Sequence, residues 1–260
     1  MVVSYKNILL CFVVFLFSCV SQKIDGNVVS QSNFNSALEN FKNEKYTKAK
    51  DEFINIIYDN PLSEHVYDCQ FYIAECEYNL NNYNQAIVDY SKYLRSNYKR
   101  TSFAVKSELM LCRCHYQLSL EHRKDQSATY VALEKLQYYI EKKTLEDYRS
   151  EISNMIKDLR NKLARKDFET ANLYITLKEY KAAEIYYSNI INEFYDSEFF
   201  DLSVINLSFL KSFSDFNDGR DYLLENRLNF LDEKNYISAL KIFENLEENK
   251  TIEYYIELLK

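Results

Sequence analysis

Residues 164–195 read ARKDFETANLYITLKEYKAAEIYYSNIINEFY, a pattern of two amphipathic helices joined by a short turn. Phe168, Ala171 and Ile175 are spaced three and four apart, so they share one face of a helix. Ala183 begins the same spacing on a second helix, after a short corner without Gly or Pro. The two helices are therefore predicted to pack antiparallel, with the two alanines where their axes approach most closely.

The same frame occurs three times, each time with an alanine pair twelve residues apart and aromatic residues at fixed offsets from it. The aligned residues are Phe34, Ala37, Tyr46, Ala49 and Phe53; Phe71, Ala74, Tyr83, Ala86 and Tyr90; and Phe168, Ala171, Tyr180, Ala183 and Tyr187. One helical hairpin has little core of its own, so a repeated hairpin must stack on its neighbours. The pattern is typical of the tetratricopeptide repeat (TPR). It predicts an all-α, superhelical TPR solenoid of about five helical hairpins.

The composition agrees with this class and disfavours several functions. The chain has 260 residues with 2 Gly and 1 Pro, which fits helices joined by short polar corners. Its net charge of −7, without a dominant basic stripe, argues against a nucleic-acid partner. We find no glycine-rich phosphate loop, nucleophile elbow or paired-carboxylate motif, so we expect no enzymatic activity and no cofactor.

The N-terminus is predicted to be a targeting segment. An apolar run of ten residues at 8–17 is too short to span a membrane. The run ends in Leu16-Phe17-Ser18-Cys19, which resembles a bacterial lipobox. This resemblance makes residues 1–18 a lipoprotein signal peptide and Cys19 the site of acylation, for example by palmitate. The alternative is an ordinary secretory signal with an incidental cysteine. No Asp follows Cys19, which favours the outer membrane over retention in the inner one.

The rest of the chain divides into a tether and the solenoid. Residues 19–30 are polar and unpatterned, so we predict a flexible tether there and the TPR domain at 31–260. Further helices are predicted at 102–118, 145–177, 199–213 and 222–231, with an exposed insertion at 119–127, a break at Asn217-Asp218-Gly219, and a final second-helix pattern at Tyr236, Ala239, Phe243 and Leu246.

The cysteines and histidines suggest little chemistry. Cys69, Cys76, Cys112 and Cys114 are predicted to be small buried hydrophobes, with a disulfide from Cys76 to Cys112 or Cys114 as the alternative. The spacing of the last two cysteines from His115 and His122 is not a usual zinc pattern, so no metal is expected.

Two surfaces are candidates for binding partners. In the repeat family, the first helices line a concave groove, here at Gln31, Phe34, Leu38, Phe41, Lys42, Asp68, Phe71, Glu75, Tyr78 and Asn79. The aromatic members either form a floor for a peptide or plug the gap between repeats. The second surface is a basic cluster at Lys157, Arg160, Lys162, Arg165 and Lys166, which is either a docking surface for an acidic partner or a solvated helix face.

A closer resemblance covers roughly residues 16–213. The segment KLARKDFETANLY at 162–174, continuing into LKEYKAAEIYYSNIINEFYDS, resembles the fourth-repeat segment of the BamD lipoprotein family. Tyr72 also falls where that family has a tyrosine. The features in common are the lipobox, the tether, the inserted third hairpin and the long helix before the fourth repeat. Residues 222–260 extend beyond the resemblance.

The resemblance implies a function without catalysis. Members of this family are lipid-anchored at the periplasmic face of the outer membrane, in the β-barrel assembly (Bam) complex. It implies docking to the periplasmic domains of a BamA-like barrel protein, contact with other subunits, and engagement of unfolded outer-membrane proteins. The alternative is another periplasmic TPR scaffold that couples envelope or peptidoglycan machinery.

Overall fold

A computed structural model of the chain describes residues 26–96, 102–245 and 254. Within these ranges the chain is all-α, with helices packed in adjacent pairs and no strand, which confirms the predicted class of a TPR-like helical solenoid. The helices are α1 (Gly26–Lys42), α2 (Tyr46–Asp59), α3 (Val66–Asn79), α4 (Tyr83–Ser96), α5 (Ser102–Leu118), α6 (Ser127–Ile140), α7 (Arg149–Thr176), α8 (Tyr180–Glu193), α9 (Phe200–Lys211), α10 (Phe216–Glu225) and α11 (Glu233–Asn245), with 3₁₀ turns at Lys143–Tyr148 and Arg227–Asn229.

The chain divides into two compact units, residues 1–82 and 83–260. The first contains α1–α3, whose core includes Phe34, Phe53 and Ile56. In the second, each of α4–α9 packs against the next helix along the chain, and α9 also contacts α10 and α11.

The alanines of the repeated pattern lie where helices pack against each other. Side chains at all six frame positions are fully buried, and they are Ala37, Ala49, Ala74, Ala86, Ala171 and Ala183. The first and third pairs belong to the hairpins α1–α2 and α7–α8, whose helices pack against each other as predicted. The aromatic residue four places after the second alanine is also buried, as at Phe53 and Tyr187. The hydroxyl of Tyr187 donates to Asn172 Oδ1 at 2.6 Å and accepts from Asn206 Nδ2 at 3.0 Å, so this tyrosine joins α7, α8 and α9.

The corner after the first helix of each frame is the same left-handed turn. Glu44, Asn81 and Lys178 lie seven residues after the first alanine, with φ of 59°, 61° and 63°. In each corner, the N–H of that residue and the N–H of the next one reach back into the preceding helix, to carbonyls three and five residues earlier. This is the Schellman arrangement, built here without the glycine that usually occupies its left-handed position.

Helix α7 is 28 residues long and serves two clusters in the second unit. Its N-terminal half packs Ile152 and Leu159 with Leu136 of α6. Its C-terminal half packs Ala171 with Ala183 of α8 and Leu207 of α9. The long helix predicted at 145–177 is therefore confirmed, except that it begins at Arg149. The preceding residues form the 3₁₀ turn, in which Leu145 leaves helical geometry with φ −107° and ψ 17°.

Three other boundaries differ from the prediction. The helix predicted at 222–231 is α10 at Phe216–Glu225, and its predicted second half contains the 3₁₀ turn Arg227–Asn229 instead. The predicted break at 217–219 lies inside α10, and the chain instead turns at 212–215, where the side chain of Asp215 caps the N-terminus of α10 by accepting from the Asn217 N–H. A Cβ at Gly219 would lie 1.9 Å from Ser212 Oγ, so this glycine allows close helix packing and does not mark a turn. Residues 26–30, predicted as the last part of the tether, form the start of α1, and residues 19–25 lie outside the described residues. A nucleated helix extends favourably by one hydrogen bond per residue, and no proline stops it here.

The remaining predictions divide into those confirmed and those outside the described residues. The exposed insertion is confirmed as the loop at 119–126. Tyr236, Ala239 and Phe243 are buried along α11 as expected. Cys19, the signal peptide and Leu246 lie outside the described residues.

Candidate functional site

The predicted groove aromatics form one cluster in the first unit, centred on Tyr72. Phe53 stacks on the Tyr72 ring with centroids 5.3 Å apart, and Phe41 meets it edge-on at 5.3 Å. Phe34 and Phe71 contact the same ring edge-on at 6.3 Å and 5.5 Å. Phe34 and Phe71 are 7% and 1% exposed, so these two plug the space between helices and do not form an open floor. Phe41 and Tyr72 are half-buried.

A histidine that the sequence places at the surface, at the start of a helix, packs on this cluster. His65 stacks on Phe34 with centroids 4.4 Å apart and ring planes 4° apart. Its Nε2 lies 2.9 Å from Gln31 Oε1, which links the start of α3 to α1. Its position at the start of α3 is as predicted, but its side chain is only 12% exposed, so it is not a surface residue.

The polar groove candidates on α3 differ in exposure. Asp68 is half-buried, and burial raises the pKa of its carboxyl group. Glu75 is buried, with 7% exposure. Tyr78 is half-buried, and exposed Asn79 donates its side-chain N–H to the Glu75 carbonyl at 2.7 Å. The exposed members of the predicted groove are therefore Gln31, Lys42 and Asn79, and its half-buried members are Leu38, Phe41, Asp68, Tyr72 and Tyr78.

Basic residues of the predicted docking surface make hydrogen bonds and ion pairs with other parts of the same chain. Lys162 Nζ lies 2.7 Å from Ser119 Oγ, and Lys166 Nζ donates to the Lys124 carbonyl at 3.1 Å. Burial lowers the pKa of Lys162. Both lysines of α7 thereby hold the 119–126 loop, and sequence spacing could not show this because the acceptors lie about 42 residues away.

Glu169 on α7 lies at the centre of a group of charged side chains from α7 and from the 119–126 loop. Arg165 and Arg123 each lie 3.0 Å from its carboxylate oxygens, and His122 Nε2 lies 2.9 Å from Oε1, outside hydrogen-bond geometry. Burial acts to raise the pKa of Glu169, but the contacts with Arg123, Arg165 and His122 outweigh it and lower the pKa to about 2. We call this set of four residues the Glu169 cluster.

Arg160 is also engaged. Its guanidinium lies 2.6 Å from Asp196 and donates to the Glu193 carbonyl at 2.7 Å, at the end of α8. It also lies over the rings of Phe194 and Tyr195. Four of the five basic residues thus stabilise the fold, and an acidic partner at Arg165 would have to compete with Glu169.

A third concave surface was not predicted. A cleft of about 730 Å³ lies between α8, α9 and α10, with Tyr180, Phe213 and Tyr222 on its walls. Its acidic residues are Glu184, Asp218, Asp221 and Glu225. Those on α10 are three and four residues apart and share one face, but the predicted break at 217–219 concealed this spacing.

The cysteines and histidines show no site chemistry in the described ranges. Cys69, Cys76, Cys112 and Cys114 are buried and free, which agrees with their prediction as small hydrophobes. Burial lowers the pKa of His115. Across the part of the chain that the structure describes, we find no group of three or more His, Cys, Asp or Glu side chains placed to hold a metal.

Comparison with known families gives one match. The family model YfiO, described as an outer membrane lipoprotein, matches residues 27–205, which is more than half of the chain. The match covers α1–α8 and ends inside α9. A comparison with curated proteins finds no match. Of the helices in the described residues, none is both long enough and apolar enough to cross a membrane.

Proposed function

The chain belongs to the YfiO family of outer membrane lipoproteins, and from this premise we propose that it is a non-enzymatic subunit of the outer-membrane β-barrel assembly machinery. In this role it docks to the periplasmic domains of a BamA-like barrel protein and helps to fold and insert barrel proteins. The observation that carries the proposal is the family match across α1–α8, on a fold of paired helices. Such repeats offer extended surfaces for protein partners and need no catalytic centre.

We propose that Cys19 is the acylated residue and that it holds the protein at the periplasmic face of the outer membrane. More than one acyl chain on a cysteine gives stable membrane anchoring. Cys19→Ala should therefore remove the protein from the outer-membrane fraction. Cys11→Ala is the matched control, because Cys11 precedes the proposed cleavage site and should not affect fractionation. Full retention of the Cys19→Ala protein in the outer membrane would exclude this anchor.

The partner assignment is tested by purification from native membranes. The tagged full chain is extracted in mild detergent, and co-purifying proteins are identified by mass spectrometry. Near-stoichiometric recovery of a β-barrel protein with repeated periplasmic domains supports the assembly role. Recovery of only peptidoglycan-linked or energy-transducing envelope proteins would replace it with the role of a scaffold for that machinery.

Within this function, the accessible side of the first-unit groove is our candidate surface for unfolded barrel substrates. On α3 it includes half-buried Asp68 and Tyr78 and exposed Asn79, and the same helix carries Tyr72 of the ring cluster. Hydrogen-bonding groups on the same helix as half-buried aromatic rings suit an extended segment with aromatic anchors. A photo-crosslinking analogue at position 78 should capture nascent barrel proteins, whereas the same analogue at exposed Tyr58 on α2 should not.

A further inference from the structure

We propose that the cleft between α8, α9 and α10 is a binding site for a cationic segment of a protein partner, which places an arginine or lysine side chain against Tyr222. The cleft lies largely beyond residue 205, where the family match ends. The proposal is therefore independent of the docking role described above.

The shape and walls of the cleft suit a peptide side chain. Its volume of about 730 Å³ falls in the range of small-ligand sites. Tyr180 and Phe213 meet edge-on with centroids 5.0 Å apart, which fixes one wall. Tyr222 on α10 forms another and is half-buried, and one face of its ring is accessible to the Lys211 ammonium group.

The charge of the cleft selects a cation. Glu184, Asp218, Asp221 and Glu225 line it, against two lysines. Asp218, Asp221 and Glu225 are exposed, and Glu184 is half-buried. Unlike Glu169, these four carboxylates have no ion pair or hydrogen bond with the described part of the chain. An incoming cation would therefore gain carboxylate contacts without first breaking internal ones.

The chain already places an ammonium group over the Tyr222 ring, where the cation of the partner is proposed to bind. Lys211 Nζ lies 5.1 Å from the centroid of the Tyr222 ring, within the distance at which a cation is attracted to an aromatic face. This lysine is on the C-terminal turn of α9 and is only half-buried, so it can move aside. A partner with arginine, whose planar group stacks on tyrosine and binds carboxylates with two hydrogen bonds, would compete with it for the ring.

The first test measures peptide binding to the full chain in mild detergent. The probe is a fluorescein-labelled peptide, Gly-Arg-Phe-Arg-Phe-Arg-Gly, and the comparison peptide carries Glu at each Arg position. We expect the arginine peptide to bind, with affinity that falls as salt rises from about 50 to about 500 mM, and the glutamate peptide not to bind. The double variant Asp218→Asn/Asp221→Asn should weaken binding about tenfold or more, an effect of about 1.4 kcal/mol. The control Glu141→Gln/Asp147→Asn removes the same charge from exposed positions outside the cleft and should change affinity less than about twofold.

A second pair of variants distinguishes binding at the Tyr222 ring from general electrostatic attraction of the peptide to the acidic cleft. Lys211→Met frees the Tyr222 ring and should raise affinity for the arginine peptide about threefold to tenfold. Lys181→Met makes the same charge change in the same cleft without a ring contact, and its gain should be clearly smaller. Equal gains in both variants, equal binding of the two peptides, or no loss in the aspartate double variant would overturn the proposal. These results do not depend on which proteins co-purify with the chain, so this proposal and the proposed function can fail separately.

Discussion

At the scale of single residues, the Glu169 cluster links the stability of the fold to pH. The carboxyl group has an ordinary pKa of 4.5, and the balance of burial and cationic neighbours lowers it to about 2 in the folded chain. A group that is more acidic in the folded state stabilises that state fully above its unfolded pKa. Its contribution is lost as the pH falls from about 4.5 towards about 2.

Glu169→Gln should therefore flatten the acid side of the stability profile. The variant should be less stable than the parent at neutral pH, because Arg123 and Arg165 lose their charged partner, and the difference should shrink below about pH 4. Urea unfolding followed by circular dichroism at a series of pH values measures this. Glu141→Gln, an exposed carboxylate outside any ion pair in the described ranges, is the control. A constant difference between Glu169→Gln and the parent at every pH would contradict the prediction.

The same residues show how much of the sites could be predicted from sequence. Helical spacing placed Lys162, Arg165 and Lys166 on α7 correctly. It could not show that Ser119, His122 and Arg123 return to meet that helix, since this contact depends on how the loop folds. Similarly, the repeat frame located Phe34 and Phe71 but did not decide between an open floor and a plug, because that depends on the neighbouring Tyr72 ring.

At the scale of the structural element, the left-handed corners store strain that glycine would relieve. A non-glycine residue in this conformation costs roughly 1–2 kcal/mol, partly offset by the freedom that glycine has when unfolded. Glu44→Gly and Lys178→Gly should each stabilise the chain by about 0.5–1 kcal/mol in thermal or urea unfolding. Asn81→Gly should give less, because asparagine tolerates the left-handed region.

The neighbouring corner residue is the control for this series. Lys45 follows Glu44 and has φ −82°, which any residue adopts. Lys45→Gly should destabilise the chain, by about 0.5–1 kcal/mol, because it adds only unfolded-state freedom. Equal stabilisation by Lys45→Gly would show that the gain is not specific to the left-handed residue, and destabilisation by Lys178→Gly would show that its corner is not strained.

At Gly219, where two helices pack closely, we expect substitution by alanine to destabilise the protein, which is the opposite of its usual effect in a helix. Gly→Ala within an exposed helix normally stabilises by up to about 1 kcal/mol. At Gly219 the new methyl group would lie 1.9 Å from Ser212 Oγ and 2.3 Å from the Ser208 carbonyl oxygen of α9, so the helices must separate. Gly219→Ala should destabilise by about 1–3 kcal/mol, whereas Asn217→Ala at an exposed position on the same helix should be nearly neutral. A more stable Gly219→Ala protein in urea unfolding would refute the close packing.

Most helices could be predicted because their evidence is local. The alanine and aromatic positions repeat at fixed spacing, so a single chain contains three copies of the same signal. The break at 217–219 was wrong because Asn-Asp-Gly is common in turns, and the need for a small residue at Gly219 arises only when α9 is packed beside it. The start of α7 at Arg149 was missed for a similar reason, because Leu145 is buried by tertiary packing while its backbone is not helical.

At the scale of the whole molecule, labelling of the buried thiols can follow the unfolding of each of the two units. Burial raises the pKa of Cys69, Cys76 and Cys112 to about 12, so almost no thiolate is present at pH 8. The native protein should not react with Ellman's reagent at these sites. Thiol labelling during urea unfolding, read by mass spectrometry of peptides, should follow one curve for Cys69 and Cys76 and one for Cys112 and Cys114, because each pair lies in one unit. Rapid native labelling of any of the four would contradict their burial.

The length of α7 has a mechanical consequence for the second unit. At 1.5 Å per residue, its 28 residues form a rod of about 42 Å, with no Gly or Pro at which it could hinge. Two of the hydrophobic clusters of that unit pack on this rod, one at each half. A pulling force on the helices at one end of α7 therefore displaces the whole helix and acts on the cluster at its other end as well. The two clusters resist the force together, so one hairpin does not separate from the next on its own.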